Sequence, residues 1–473
     1  MEEIGLRGWV FDRRKKASEA GNSKVTSPTK DRRSQLDDDS VLAGYRVKND
    51  SILRHYPLGA DAAHLIGYST IIRGSAGVEL AYEGLLRPKP GKLKGLWTPS
   101  MMGDDLTLTV DSRLQRAASA LLAQTGLAGA IVVLSVLTGD VLALASSPTF
   151  DPVAVEDDER WQEVSSGTSQ RLVNRTLRRY YLPGSTFKTI IAAAALENGM
   201  ADATFRCAKE GYRPGGTIRP IYDDGGVNEV HGTIGLTEAL RVSCNQYFAQ
   251  LGVALGPERL SEMAKKFGFQ VDAAPDATRE PRYDDDVWDN KEKNFRRLFS
   301  PSLSRLVLSN KIGTYDLALE SYGQGYLQVT PLQMALVAQA MAHPSGQMMA
   351  PRLDFLSEPR VLRESMSAKN AAQVRAMMAE VTTHPAGTAV SAFAQLYRAG
   401  IATGGKTGTA QFETAQGHRV DSWFIGFAPL NDPQIAYAVV VEGGGYGGRV
   451  AAPMAAVLVN DALRLGIIRR SKP

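Results

Sequence analysis

The sequence predicts an α/β layer fold, a five-stranded antiparallel sheet flanked by helices and preceded by a small mixed domain. Three observations lead there. Residues 130–136 and 141–145 are apolar, β-branched runs joined by Thr138-Gly139-Asp140, which is a hairpin pattern. Three further strand-like runs stand near the other end of the chain: 406–412, 423–428 and, after a Leu430-Asn431-Asp432-Pro433 turn, 435–442. Helical patterns fill much of the interval, the strongest being 185–198 with its interior Ile190-Ile191-Ala192-Ala193-Ala194-Ala195-Leu196. A sheet assembled from both ends of this span, with helices packed on it, accommodates all three.

Taken in order, residues 13–50 are polar and charge-mixed, with Arg13-Arg14-Lys15-Lys16 and Asp37-Asp38-Asp39, and are expected to be loop. Residues 51–100 become globular, with turns at Tyr56-Pro57-Leu58-Gly59 and around Gly74 and Gly77. The run Arg87-Pro88-Lys89-Pro90-Gly91-Lys92 reads as a linker or an exposed hairpin. A denser domain opens near Leu106, so the expected division is 1–105 and 106–473. Asp111 can cap a helix to about Gln124. Pro183-Gly184 is a chain stop and a point of close approach. Residues 236–242 look helical, and 280–300 are a charged, turn-rich excursion.

With 473 residues, 44% hydrophobic and 22% charged, the chain has an ordinary globular composition and room for two or three domains. A net charge of +4 on 54 basic and 50 acidic side chains gives no argument for nucleic acid. The six histidines are scattered without metal-ligand spacing, and there is no C-x-x-C or H-E-x-x-H, so neither a metal nor another cofactor is expected. Cys207 and Cys244 form either one disulfide or two buried thiols. The apolar stretch 128–147 is broken by Thr138-Gly139-Asp140 and reads as two strands rather than a membrane span.

Three short motifs carry the chemistry. Ser185-Thr186-Phe187-Lys188 places a serine at the first turn of a helix with a lysine one turn on, on the same face. Serine needs an adjacent base to act as a nucleophile, and a lysine desolvated by its apolar surroundings, or set beside a second cation such as Lys406, can supply one. Ser27-Pro28-Thr29-Lys30 fits the same pattern, but in a polar, proline-bearing loop it reads as a chance match. In Ser243-Cys244-Asn245, after a helix, the hydroxyl can relay a proton and the Asn245 amide can hold a substrate amide. Lys406-Thr407-Gly408-Thr409 lies in a strand where Gly408 admits another backbone. Lys406 and the two threonine hydroxyls suit a carboxylate, and the Thr409 and Ser185 backbone N–H groups can form an oxyanion hole. Lys188 is expected to be the poised base and Lys406 the fixed charge.

In this order the S-x-x-K, S-x-N and K-T-G set resembles that of the penicillin-binding proteins, specifically the class B monofunctional D,D-transpeptidases. The resemblance extends along the chain. Arg7-Gly8 with Asp12-Arg13, then Arg54 to Gly59 with His64 and Gly67, then Gly74, Gly77 and Glu79 are similar to the boxes of the family's non-catalytic pedestal. Thr109-Val110-Asp111 with Gln115 looks like the entry to its transpeptidase domain. Asn174-Arg175, Gly323-Gln324-Gly325 with Thr330-Pro331-Leu332-Gln333, and Trp423 to Phe427 also match.

The resemblance implies peptidoglycan stem peptides ending in D-Ala-D-Ala as substrate, an acyl-enzyme on Ser185, and inhibition by β-lactams. It further implies a SEDS-type membrane glycosyltransferase as partner and a place on the extracytoplasmic face of the bacterial inner membrane. The family's N-terminal anchor does not precede Arg7, and the start at Met1 fits a chain trimmed of it. Only about 40 residues separate Arg13 from Arg54, so a head subdomain is expected to be reduced. A serine β-lactamase, a D,D-carboxypeptidase and a β-lactam sensor are the rival readings. The 105 residues before Leu106 count against the first, and the lack of a membrane signalling region counts against the last.

Overall fold

A computed structural model describes residues 7–14, 40–48, 51–88, 90–93, 96–99, 103–167, 169–271, 304–306, 308, 312–414 and 417–470. The Ser27 decoy and the 280–300 excursion lie outside these residues. The N-terminal part is built on a sheet of β1 (Val10–Phe11), β2 (Val41–Lys48), β3 (Ser51–His55) and β4 (Leu106–Thr107), in the order β3-β2-β1-β4. The strand Val41–Lys48 corrects the expectation of loop across 13–50. Val41, Leu42 and Ala43 are buried because β1 and β3 lie on either side of this strand, and those partners are remote or follow a turn. The run after Arg87 is the hairpin alternative: Pro90–Leu93 pairs with Leu96–Pro99.

The boxes of this region meet in space. The Glu79 carboxylate is fully buried and accepts from Arg7 Nε at 2.9 Å and Arg54 Nε at 2.7 Å, while Arg54 Nη1 donates to the Gly8 carbonyl. His64 and Asn174 join N-terminal and later segments, Asn174 Nδ2 donating to the His64 carbonyl at 3.3 Å.

Asp111 caps helix α1 (Ser112–Thr125) by accepting from the Arg113 and Leu114 N–H groups. Gln115 on that helix is fully buried and clasps Leu144 through both its carbonyl and its N–H, so the helix is fixed on the hairpin β5 (Gly129–Ser135) and β6 (Val141–Ser147). The hairpin therefore forms where the apolar runs and the Thr138-Gly139-Asp140 turn placed it.

Helix α2 (Lys188–Glu197) is apolar all round and buried along almost its whole length, as such a helix must be. A small ribbon, β7 (Thr204–Cys207) and β8 (Gly232–Gly235), leads into α3 (Leu236–Val242) and the long α4 (Asn245–Lys266). Helices α5 (Pro331–Ala342), α6 (Ala368–Thr383) and α7 (Val390–Arg398) precede strands β9 (Gly404–Thr414), β10 (Gly417–Ala428) and β11 (Ile435–Val441), and α8 (Ala451–Arg464) follows.

The central sheet runs β6-β5-β11-β10-β9, antiparallel throughout. Its closure by β11 against β5 is the contact between sequence-distant strands that the pattern required. Both faces are covered. Ile131, Val133, Tyr437 and Val439 pack with α1 and α8, whereas Val132, Leu134, Ala438 and Val440 face the core that holds α2 and α5. This two-sided burial explains why the strands read as continuous apolar runs. It also leaves β9, with the K-T-G motif, as an edge strand packed against α6 and the segment 184–187 that leads into α2.

Candidate active site

Gly184 sets the position of Ser185. Its φ is +54°, and a Cβ there would stand 2.5 Å from the Thr409 carbonyl oxygen, so both conformation and contact require glycine. The Gly184 N–H donates to the Gly323 carbonyl at 3.0 Å. The chain then makes a tight turn, Gly184–Phe187, that runs directly into α2. Ser185 is 9% exposed and opens onto a cleft of about 390 Å³, shared with Ser243, Thr407 and Thr409. Gly408 acts as expected of it: a Cβ there would lie 2.9 Å from the Pro183 carbonyl and from Trp423 on β10.

The three motifs converge on Ser243. Its φ of +63° and ψ of +36° end α3 in the left-handed region, uncommon for serine. That conformation brings its carbonyl to 2.6 Å from Lys188 Nζ and its hydroxyl to 3.3 Å. Lys188 Nζ also donates to Asn245 Oδ1 at 2.6 Å. From β9, Lys406 Nζ donates to Ser243 Oγ at 2.8 Å and to the Thr407 carbonyl at 3.0 Å. A hydroxyl thus stands between two lysines, both 0% exposed. Thr407 Oγ1 is paired with Thr388 Oγ1 at 2.7 Å.

Burial is the main cause depressing both lysines below their ordinary pKa. For Lys188 the carboxylates of Asp224 and Asp223 push back, whereas Lys406 also feels the Lys188 charge, which lowers it, and Asp224, which raises it. Burial thus makes each amine a weaker holder of its proton, with the Asp223-Asp224 pair opposing this at Lys188.

Other cleft residues escaped the sequence reading. Tyr446, Gly448 and Arg449 line it from the loop after β11, and Thr388 lines it from the approach to α7. The loop can seat there because Gly447 is small: a Cβ would stand 2.3 Å from the Gly408 carbonyl oxygen. The glycine run from Gly443 to Gly448 was the available signal.

A second cluster adjoins the first. Cys207 on β7, Asp223, His231 before β8 and Cys244 have their ligand atoms within 4.8 Å of one another. Both cysteines are free and buried, so of the two alternatives the structure takes the thiols. Burial pushes Cys207 up to about 11, and the Asp223 carboxylate raises His231. Two sulfurs, an imidazole and a carboxylate are donors that suit a tetrahedral divalent ion such as zinc. The sequence spacing gave no sign of this grouping, because the Asp223 loop and the β7–β8 ribbon assemble it.

The family model described as Penicillin binding protein transpeptidase domain matches residues 129–460. Peptidoglycan D,D-transpeptidase MrdA of Acinetobacter baumannii is 30% identical over 467 residues, covering 86% of this chain and 66% of that protein. Peptidoglycan D,D-transpeptidase PbpA of Mycolicibacterium smegmatis is 29% identical over 477 residues, covering 92% and 89% respectively. The chain superimposes on the D,D-transpeptidase domain of a peptidoglycan glycosyltransferase from Eggerthella lenta with a TM-score of 0.76 at 27% identity, covering 98% of this chain and 100% of that one.

Proposed function

Because the chain belongs to the penicillin-binding protein transpeptidase family, class B, we propose that it cross-links peptidoglycan stem peptides through an acyl-enzyme on Ser185. The observation that carries this reading is the meeting of Lys188 and Lys406 at the Ser243 hydroxyl, with Asn245 accepting from Lys188, beside the cleft that Ser185 opens onto.

Ser185 Oγ attacks the carbonyl of the penultimate D-Ala. Its proton goes to a lysine of the pair, and the Lys188–Ser243–Lys406 chain lets one proton move between the two so that a neutral amine faces the serine. Asn245 supports the substrate amide, and Thr407, Thr409 and Lys406 receive the terminal carboxylate. The Ser185 and Thr409 backbone N–H groups take the oxyanion, each donor worth about 3 kcal/mol. The bond to D-Ala breaks as Ser243 passes a proton to the leaving amine. An acceptor amine then attacks the ester carbonyl, loses a proton to the Lys188–Ser243–Lys406 chain, and Ser185 Oγ leaves and takes up that proton.

We assign residues 1–105 to a pedestal and 106–473 to catalysis, with a SEDS-type glycosyltransferase as partner and the extracytoplasmic membrane face as location. The family resemblance supports this assignment; among the described residues no helix is long and apolar enough to cross a membrane.

Fluorescent penicillin should label the protein stoichiometrically, and Ser185→Ala should abolish labelling. Retained labelling in that variant would sink the nucleophile assignment. A stem-peptide mimic offered with and without an acceptor amine separates transpeptidation from carboxypeptidation. Rapid multiple turnover of a chromogenic cephalosporin would replace the reading by a β-lactamase.

A further inference from the structure

A second recess lies away from the catalytic cleft and shares no residue with it. It is a groove of about 710 Å³ between α7 and α8, on the α8 side of the central sheet, whereas Ser185 leads into α2 on the other. Its floor is apolar: Leu396 on α7, Ile401 after it, Ala456 on α8 and Ile468 after that helix are all buried in one cluster. Val457, which also lines it, is an aliphatic side chain left 45% exposed.

The walls have the spacing of a helix-packing seam. From α8 come Pro453, Ala456, Val457, Asn460 and Arg464, at i, i+3, i+4, i+7 and i+11, one face of that helix over about 16 Å, or about three turns. From α7 come Ala392, Gln395 and Leu396, with Ala399 just past its end, at i, i+3, i+4 and i+7. Two such faces set side by side form the kind of groove into which a third helix packs, and the three alanines let its backbone come close.

Charge narrows the occupant further. After α8 the chain folds back, the Ile467 and Ile468 N–H groups donating to the Ala462 carbonyl at 2.9 and 3.3 Å, so Arg464, Arg469 and Arg470 gather at the C-terminal end of that helix. Gln434 holds Arg469 there, accepting its N–H at 2.9 Å and donating to its carbonyl at 3.0 Å. No acidic side chain lines the groove, and the Arg464–Asp461 pair, at 3.5 Å with Arg464 largely exposed, is a weak one. Three guanidinium groups at one end of an apolar floor suit an occupant that is apolar along one face and anionic at one end. An acyl chain would fill the floor but leave the Gln395 and Asn460 amides on the two walls without partners, whereas a helix brings polar flanks to them.

We propose that the α7–α8 groove is a docking site for an amphipathic helix of a partner protein, about three turns long, with its apolar face along α8 and an acidic first turn on Arg464, Arg469 and Arg470. Carboxylates in a first turn also suit the helix dipole, which sets the direction of the incoming helix, N-terminus over the arginines. The site is independent of the Ser185 acyl-enzyme reading.

The test uses the whole chain and a synthetic helical peptide of that design, with leucines at i, i+3, i+4 and i+7, glutamates in its first turn and a fluorophore for anisotropy. Saturable binding is expected. Val457→Glu, which sets a charge on the apolar floor, and the double variant Arg469→Glu, Arg470→Glu should each weaken it at least about tenfold. Lysines in place of the peptide's glutamates should abolish binding to the parent and restore it to the double variant. Penicillin acylation of each variant reports that it is folded, since groove and cleft have no residue in common. Vesicles of phosphatidylglycerol and phosphatidylcholine in equal parts should not bind the parent in a flotation assay. Vesicle binding that the same substitutions abolish would give the groove to a lipid surface and overturn the proposal. No saturable peptide binding, or a peptide affinity that none of the substitutions changes, would overturn it too.

Discussion

Around Glu79 and around Ser243 the protein buries charge in two different ways. Glu79 receives two guanidinium groups at 2.9 and 2.7 Å, and Arg54, though burial opposes it, is held more firmly protonated by that carboxylate. Around Ser243 stand two lysines whose direct partners are neutral: two hydroxyls, two carbonyls and an amide. In the first cluster every charge has its counter-charge, and the result is a clamp across three distant segments. In the second, two lysines share one hydroxyl, and burial together with the Lys188 charge destabilises the proton on Lys406. Matched burial fixes structure, whereas mismatched burial leaves a proton that can move.

The contrast breaks most visibly at Lys188. Replacing it with methionine should lower penicillin acylation about 1,000-fold or more, the scale of a lost general base. Stability should change little, because relief of like-charge burial offsets the hydrogen bonds lost to Ser243 and Asn245. Acylation kinetics and a urea melt on the same sample check both halves. A variant that acylates normally would end Lys188's role.

Glu79→Gln should do the reverse. It leaves the partly buried Arg7 and Arg54 beside a neutral amide, and breaking a buried group of this kind costs up to about 3–5 kcal/mol. The urea midpoint should drop accordingly, while the acylation rate per folded molecule stays at the parent's value. An unchanged midpoint would show that the clamp contributes nothing to stability.

Glu320 is a third kind of buried ionisable group, an acid with no ion-pair partner among the described residues. Its Oε1 accepts the Tyr326 N–H at 2.6 Å, its Oε2 has no hydrogen-bond partner among the described residues, and burial pushes its pKa from 4.5 up to about 8. The folded chain keeps this proton up to about pH 8, whereas the unfolded chain releases it near 4.5. Stability therefore falls as pH rises through that window. Glu320→Gln should abolish the fall, gaining about 3–4 kcal/mol more at pH 8 than at pH 5. Melting temperatures at the two pH values decide it; equal gains at both would refute the titration.

The parts of this site legible in sequence are those whose chemistry is local. Ser185 and Lys188 are separated by one tight turn that runs into the helix, Gly408 marks a close approach within its own strand, and Asp111 caps the helix it precedes. Asp223 was not legible, because its partners are the Asn245 and Gln246 amides and two sulfurs, all brought to it by the tertiary fold. Val41–Lys48 was hidden for the same reason: its apolar half sits in a polar neighbourhood and becomes a strand only between β1 and β3. The hairpin 129–147 and β11 were visible because two-sided burial leaves them apolar along their length.

The smallest expected effect discriminates most finely. Asp224 is exposed at the cleft and, through space, is an anion that both lysines feel; it is the largest influence holding the proton on Lys188. Replacing it with asparagine keeps an acceptor for Asn245 Nδ2, which now lies 3.3 Å from the carboxylate, and removes only the charge. Both lysines then release their protons at lower pH, whichever of the two is the base. The acid limb of the acylation profile should therefore move to lower pH, by a few tenths of a unit given solvent screening at the cleft. A shift to higher pH, or none at low ionic strength, would mean that the acid limb reports some group other than the lysine pair.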